Sequence, residues 1–268
     1  MTSRRLDGKV AVITGSTKGI GSVVAEVFAK EGARVVVSGR TVSAGEALVE
    51  RIRTAGGDAM FLPADVSDEK QVQGLLTGAF DHWGRLDILI NNAAPTEFIA
   101  RGDEQSVADL TLENWEYMLR ACATGPFLAS KYAIPLMRRG DGGSILNISS
   151  MAAKVGVPGM PSYSAAKAAM DGLSRQMAVD YGPLGIRVNT LTIGFVLCGE
   201  TTQMIFADPV SGPGVRAMSL TRVGKPEDVA YAAVYLSSDE AEFIIGTDLM
   251  VDGGVMVRSY APAVVADG

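Results

Sequence analysis

The sequence predicts a single-domain, doubly wound α/β fold, a parallel sheet of about seven strands with helices on both faces. Three observations carry that expectation. Short runs rich in Val, Ile and Leu recur without a polar alternation, each is followed by a longer stretch of helical periodicity, and no linker, repeat or low-complexity segment interrupts the 268 residues. Strands without a polar face are buried on both sides, and strands that alternate with helices are joined by right-handed crossovers.

The elements follow in order. Lys9 to Thr14 supplies the first strand, and Ile20 to Glu31 the helix after it. Arg34 to Ser38 leads into Val42 to Ala55, Ala59 to Leu62 into Asp68 to Trp83, and Leu86 to Asn91 into a long helix from Leu112 to Arg139. Ser144 to Ile148 precedes Tyr163 to Tyr181, Arg187 to Thr192 precedes Pro226 to Ser237, and Asp248 to Val251 closes the sheet. The whole of 1–268 reads as one domain, with loose ends at about 1–6 and 260–268. The segment 199–220 sets Met204, Ile205, Phe206, Pro209 and Met218 among Gly and Ser residues, and reads as a lid over an apolar pocket; Pro95 to Leu110 borders the same pocket.

Composition narrows the function classes. A net charge of −6 and a pI near 4.9, without a long basic run, disfavour nucleic acid or an anionic membrane as partner. No run of 18 or more uninterrupted apolar residues is present, and the start leads directly into a strand pattern, so a soluble cytoplasmic protein is expected. Cys122 and Cys198 stand far apart, outside any metal-ligand spacing, and suggest neither a disulfide framework nor a metal site. The sole histidine, His82, lies in a polar helical stretch and reads as a surface residue.

Two stretches point to chemistry. The first strand ends in Thr14-Gly15-Ser16-Thr17-Lys18-Gly19-Ile20-Gly21 and enters a helix. Glycines there allow a tight turn and close approach of backbone to a pyrophosphate, and the helix N-terminus attracts the phosphates. The second stretch runs from Ser150 to Lys167. Tyr163 and Lys167 at i,i+4 share one helix face, where a cation beside the phenol favours the phenolate. Such a pair can exchange a proton with a carbonyl oxygen while a hydride carrier serves its carbon.

Cofactor choice follows from charge. An acidic residue at the end of the second strand bonds a ribose 2′-hydroxyl, whereas a basic one accommodates a 2′-phosphate. Here Ser38-Gly39-Arg40-Thr41 lacks Asp and Glu, and Lys18 stands in the glycine-rich loop, so NADP(H) is favoured over NAD(H).

Thr14-Gly-x-x-x-Gly-x-Gly21, Asp65-Val66, Asn91-Asn-Ala-Ala94, Ser150, Tyr163-x-x-x-Lys167, Arg187-Val-Asn189 and Asp252-Gly-Gly254 together resemble the short-chain dehydrogenase/reductase family, with its Rossmann fold, and in particular its 3-oxoacyl-reductase-like members. Order and spacing match from about Leu6 to Val257. The resemblance implies that Tyr163 is the general acid in reduction and the base in oxidation, that Lys167 lowers its pKa and holds the nicotinamide ribose, and that Ser150 hydrogen-bonds the substrate oxygen. Chemistry alone allows Ser149 or Ser150; the 13-residue separation from Tyr163, usual in the family, selects Ser150. The likeness further implies that Gly15, Thr17, Gly19, Ile20 and Gly21 cradle the phosphates, that Asp65 and Val66 meet the adenine, that Asn91, Asn92, Ala93 and Ala94 line the ribose and nicotinamide side, and that backbone at Gly194 and Val196 holds the nicotinamide amide. Family members usually assemble as homotetramers through the two long helices.

Three positions depart from the family pattern. Cys122 stands where an asparagine usually anchors a water of the proton relay, and a thiol is a poor substitute for an amide. Ile193-Gly194 replaces a usual Pro-Gly with Cys198 at the place of a threonine, and Ala94 replaces a glycine. The expected activity is interconversion of a ketone and a secondary alcohol; the alternative is a nucleotide-binding protein of the same fold with weakened catalysis, acting as a sensor or scaffold.

Overall fold

The computed structural model describes residues 4–257. Seven parallel strands form one sheet in the order β3-β2-β1-β4-β5-β6-β7. They are β1 (Val10–Ile13), β2 (Arg34–Gly39), β3 (Asp58–Pro63), β4 (Ile88–Asn91), β5 (Gly143–Ser150), β6 (Ile186–Ile193) and β7 (Asp248–Val251). Every residue of β1 and β4 is buried, as their unbroken apolar runs require. The chain reverses its winding between β1 and β4, and a crevice opens at the carboxyl ends of the strands there.

Helices cover both faces. On one side, α1 (Gly19–Lys30), α2 (Val42–Thr54) and α10 (Pro226–Ser237) bury Phe28, Leu48 and Val234 against the sheet. On the other, α3 (Glu69–Trp83), α6 (Gly125–Met137) and α7 (Pro161–Tyr181) bury Leu76, Met137 and Met177. No helix among the described residues is long and apolar enough to cross a membrane.

Four features differ from the sequence expectation. The helix expected over Leu112 to Arg139 is α5 (Leu112–Leu119), a π-helical turn over Arg120–Thr124 and then α6. Its widened turn carries Cys122, and such turns cluster at functional sites. A short helix, α4 (Thr96–Ala100), follows β4. The lid segment holds two helices, α8 (Gly199–Ala207) and α9 (Ser211–Met218). The amino-terminal end is not loose at Arg5 and Leu6: Leu6 is fully buried in the core and Arg5 pairs with Glu31 at 2.8 Å. Residues 1–3 and 258–268, which include the expected loose end at 260–268, lie outside the described residues.

Candidate active site

The crevice at the strand ends is a cleft of about 550 Å³. It brings together Gly15, Thr17, Lys18, Gly19, Ile20, Gly21, Arg40, Thr41, Asp65, Val66, Asn92, Ala93, Ala94, Tyr163 and Lys167 from five separate parts of the chain. Gly194 and Val196 do not line it: Val196 pairs with Gly224 and faces a smaller cavity, while Ile193, Cys198 and Thr202 form the wall expected of them. Gly194 is instead pressed against Asp252, where a Cβ would come within 2.7 Å of the Asp252 Cα.

One end of the cleft is shaped for phosphate. Gly15 takes φ +64°, and a Cβ there would meet the Ala93 Cα at 2.6 Å; a Cβ on Gly21 would meet the Asn92 Nδ2 at 2.4 Å. The loop therefore packs against β4 as only glycine permits. Asn92 locks it from the other side, donating through Nδ2 to the Thr14 carbonyl at 2.9 Å and the Gly15 carbonyl at 3.0 Å. Thr14 Oγ1 accepts in turn from the Asn92 and Ala93 amides at 3.1 and 3.2 Å. Helix α1 begins at Gly19 with no cap from its N-cap side chain and no acidic residue in its first turn, so its dipole at the cleft favours an anion. A glycine cradle, an uncapped twelve-residue helix and two nearby cations fit a dinucleotide pyrophosphate.

Asp65 uses its carboxylate to accept from the Ser67 amide and hydroxyl at 2.9 and 2.7 Å, which orders the turn after β3. Behind the strands, Asn91 Nδ2 donates to the Asn147 Oδ1 at 2.7 Å, and Asn147 Nδ2 donates to Ser174 Oγ at 2.7 Å. This chain of buried amides ties β4 to β5 and α7, the helix that carries Tyr163.

At the other end, Tyr163 and Lys167 line the cleft, and Ser150, which does not line it, hydrogen-bonds to the Tyr163 phenol. Burial pushes the Tyr163 phenol well above its ordinary range, and the hydrogen bond with Ser150 pulls the other way. Ser150 itself terminates β5 and accepts from the Ala152 amide at 3.2 Å. Ser149, the chemical alternative, lines the cleft, but its hydroxyl is buried and has no hydrogen-bond partner among the described residues. Lys167 Nζ donates to the Ile148 carbonyl at 2.7 Å and lies 5.7 Å from the Tyr163 ring centroid. Burial lowers the Lys167 ammonium, and the Asp171 carboxylate opposes that shift.

Cys122 is fully buried, its Sγ 3.7 Å from the Met118 Sδ within an apolar cluster of Phe98, Ala121 and Ala166. Burial raises its thiol, so it packs as a small neutral hydrophobe. Ala94 packs against the same cluster, and its methyl group is accommodated there.

Two carboxylates were not anticipated from the sequence. Glu104 is 7% exposed, and its Oε1 accepts from the Tyr163 amide at 2.7 Å while its Oε2 accepts from the Ser162 hydroxyl. Helix α7 needs this: Met160 offers no cap and Pro161 has no amide, so a carboxylate from a segment 58 residues earlier caps the helix instead. Glu97, on α4, lies between Lys18 Nζ at 3.1 Å and Arg40 Nη2 at 2.7 Å. No local motif marks either residue, because both contacts exist only after the sheet brings the segment after β4 beside the first two strands and α7.

Comparisons agree with the geometry. A family model described as enoyl-(acyl carrier protein) reductase matches residues 15–256. An oxidoreductase of Methylorubrum extorquens is 38% identical over 94% of this chain and 99% of its own length. Glucose 1-dehydrogenase 2 of Bacillus subtilis is 35% identical over 93% of this chain and 95% of its own. Among solved structures, a 7α-hydroxysteroid dehydrogenase complexed with NADH and 7-oxo glycochenodeoxycholic acid has a TM-score of 0.87 and 34% identity, covering 94% of this chain and 96% of that one. The glycine cradle at one end of the crevice and the serine, tyrosine and lysine at the other thus recur in a chain that matches oxidoreductases along nearly its whole length, and it belongs to the short-chain dehydrogenase/reductase family.

Proposed function

We propose that the protein is an NADP(H)-dependent oxidoreductase that interconverts a ketone and a secondary alcohol, with Tyr163 as the general acid in reduction and the general base in oxidation. The observation that carries this reading is that Tyr163 and Lys167 line the inner end of the cleft whose outer end is the glycine cradle, with Ser150 hydrogen-bonded to the Tyr163 phenol. When bound, the nicotinamide supplies or removes the hydride. The residues of the chain supply the rest. Gly15 to Gly21 and the α1 amides hold the phosphates, Asp65 and Val66 border the adenine, and Lys167 holds the nicotinamide ribose. Ser150 orients the substrate oxygen, and Tyr163 passes it a proton or takes one away.

Lys18 and Arg40 support the choice of NADP(H), because both stand at the cleft mouth with no acidic residue at the end of β2. The family's usual assembly makes a homotetramer packed through α6 and α7 the expected oligomer, which light scattering on the full chain measures. Tyr163→Phe is expected to lower kcat by about 1000-fold or more with the Kd for NADPH changed less than about threefold. Unchanged turnover in that variant refutes the assignment. The panel is ketones and secondary alcohols, with an enoyl thioester included, assayed with NADPH, NADH and the oxidised forms. Tight NADPH binding without turnover of any compound would instead establish the nucleotide-binding sensor or scaffold.

A further inference from the structure

Glu97 deepens the cofactor reading and rests on it. The residue sits on α4, on the far wall of the cleft from β2, and is held by one cation on each side. Its Oε2 meets Lys18 Nζ at 3.1 Å and its Oε1 meets Arg40 Nη2 at 2.7 Å, so one carboxylate engages both groups assigned to the 2′-phosphate. Arg40 is also 4.0 Å from Asp65 and donates to the Tyr117 hydroxyl at 3.5 Å. With two cations and two carboxylates, the mouth of the cleft carries no surplus positive charge.

We infer that Glu97 is a specificity-determining residue, a carboxylate that competes with the 2′-phosphate of NADP(H) for Lys18 and Arg40 and narrows the preference over NAD(H). The chemistry of the two cofactors differs at this one point. A 2′-hydroxyl is a hydrogen-bond donor that a carboxylate can accept, so NAD(H) leaves the Lys18–Glu97–Arg40 arrangement intact. A 2′-phosphate carries nearly two negative charges at neutral pH and offers only acceptors, so it must take the two cations from Glu97 and then remain beside a like charge. The acidic ribose partner that this chain lacks at the end of β2 is therefore provided from α4, across the cleft. Glu97 is about one-third exposed, which leaves its side chain room to turn away when phosphate arrives.

Equilibrium binding tests this without reference to turnover. The full chain and its Glu97→Gln and Arg40→Ala variants are titrated with NADPH and NADH by nicotinamide fluorescence, and with 2′,5′-ADP and 5′-AMP by calorimetry. The expected result for Glu97→Gln is an NADPH and 2′,5′-ADP Kd about tenfold lower, with NADH and 5′-AMP changed less than about threefold. Arg40→Ala is expected to weaken NADPH and 2′,5′-ADP selectively. Equal tightening of all four ligands in Glu97→Gln, or no change in any, overturns the role of Glu97. If that happens while Arg40→Ala still weakens NADPH selectively, the NADP(H) reading stands and this inference alone fails. If Arg40→Ala leaves both NADPH and NADH unchanged, the phosphate is bound elsewhere and both fall. Glu97→Ala repeats the measurement if the glutamine amide keeps its hold on Arg40.

Discussion

Replacing Glu104 is the sharpest test of how α7 is held. The carboxylate is buried and accepts two hydrogen bonds at the first turn of the helix, one of them from the Tyr163 amide at 2.7 Å. Glu104→Ala leaves that amide and the buried Ser162 hydroxyl without an acceptor. An unsatisfied buried donor costs about 1–3 kcal/mol, and a lost helix cap about 1 kcal/mol, but the two overlap because the Tyr163 amide is counted in both. The expected loss is therefore about 2–4 kcal/mol. Glu104→Gln retains an amide oxygen for one of the donors and loses only the charge assistance, so about 1–2 kcal/mol is expected. Urea unfolding read as a shift in midpoint at constant slope measures both.

The same substitution reaches the chemistry. Tyr163 is the third residue of α7, and fraying of that turn displaces the phenol from Ser150. Turnover of Glu104→Ala is expected to fall about tenfold with the NADPH Kd unchanged, because the glycine cradle lies at the other end of the cleft. Alanine and glutamine variants within about 0.5 kcal/mol of the parent would refute the capping argument. A tenfold fall in cofactor affinity would refute its locality.

Cys122→Asn is expected to cost about 1–3 kcal/mol, since it places an amide in the apolar cluster around Met118, and to shift the pH–rate profile through neighbouring Lys167; an unchanged profile would show that the proton relay runs by another route. Asp228, bonded by Arg222 at 2.7 Å, is pulled down to about 2 from an ordinary 3.8, so its contribution is complete above about pH 4 and is lost as pH falls through about 2. After allowance for its partial exposure, Asp228→Asn should cost about 1 kcal/mol at pH 7 and progressively less below pH 4, and equal costs at pH 7 and pH 3 would contradict this.

Much of the fold was legible because its strands are buried on both faces, which leaves runs such as Val10-Ala-Val-Ile13 with no polar alternation to confuse them. The glycine loop and the Tyr163/Lys167 pair were legible because each is a local constraint, a turn and an i,i+4 spacing. The helices of the lid were not, since Gly212-Pro213-Gly214 within α9 reads locally as a breaker. The π turn at Cys122 left no mark in the periodicity either, because one extra residue in a turn only shifts the apolar phase. Gly194 and Val196 lie two residues apart around Phe195, just beyond the end of β6, and the pairing of Val196 with Gly224 is set by a residue 28 positions later, which no local pattern shows.

The two carboxylates belong to one segment, and its architecture separates their roles. Glu97 and Glu104 flank the stretch that leaves β4, the first reaching the cations at the mouth of the cleft and the second the amide of Tyr163. Glu104 is buried and bonded to backbone, whereas Glu97 is partly exposed and bonded to two long, mobile side chains. A phosphate entering the mouth can therefore displace Glu97 without moving Glu104, because the exposed contact is the weaker of the two. The proton-transfer end stays preorganised while the cofactor end adjusts. If the proposed roles of Glu97 and Tyr163 hold, selectivity for the cofactor and alignment of the tyrosine are set by different charges on the same short segment, and each can change without undoing the other.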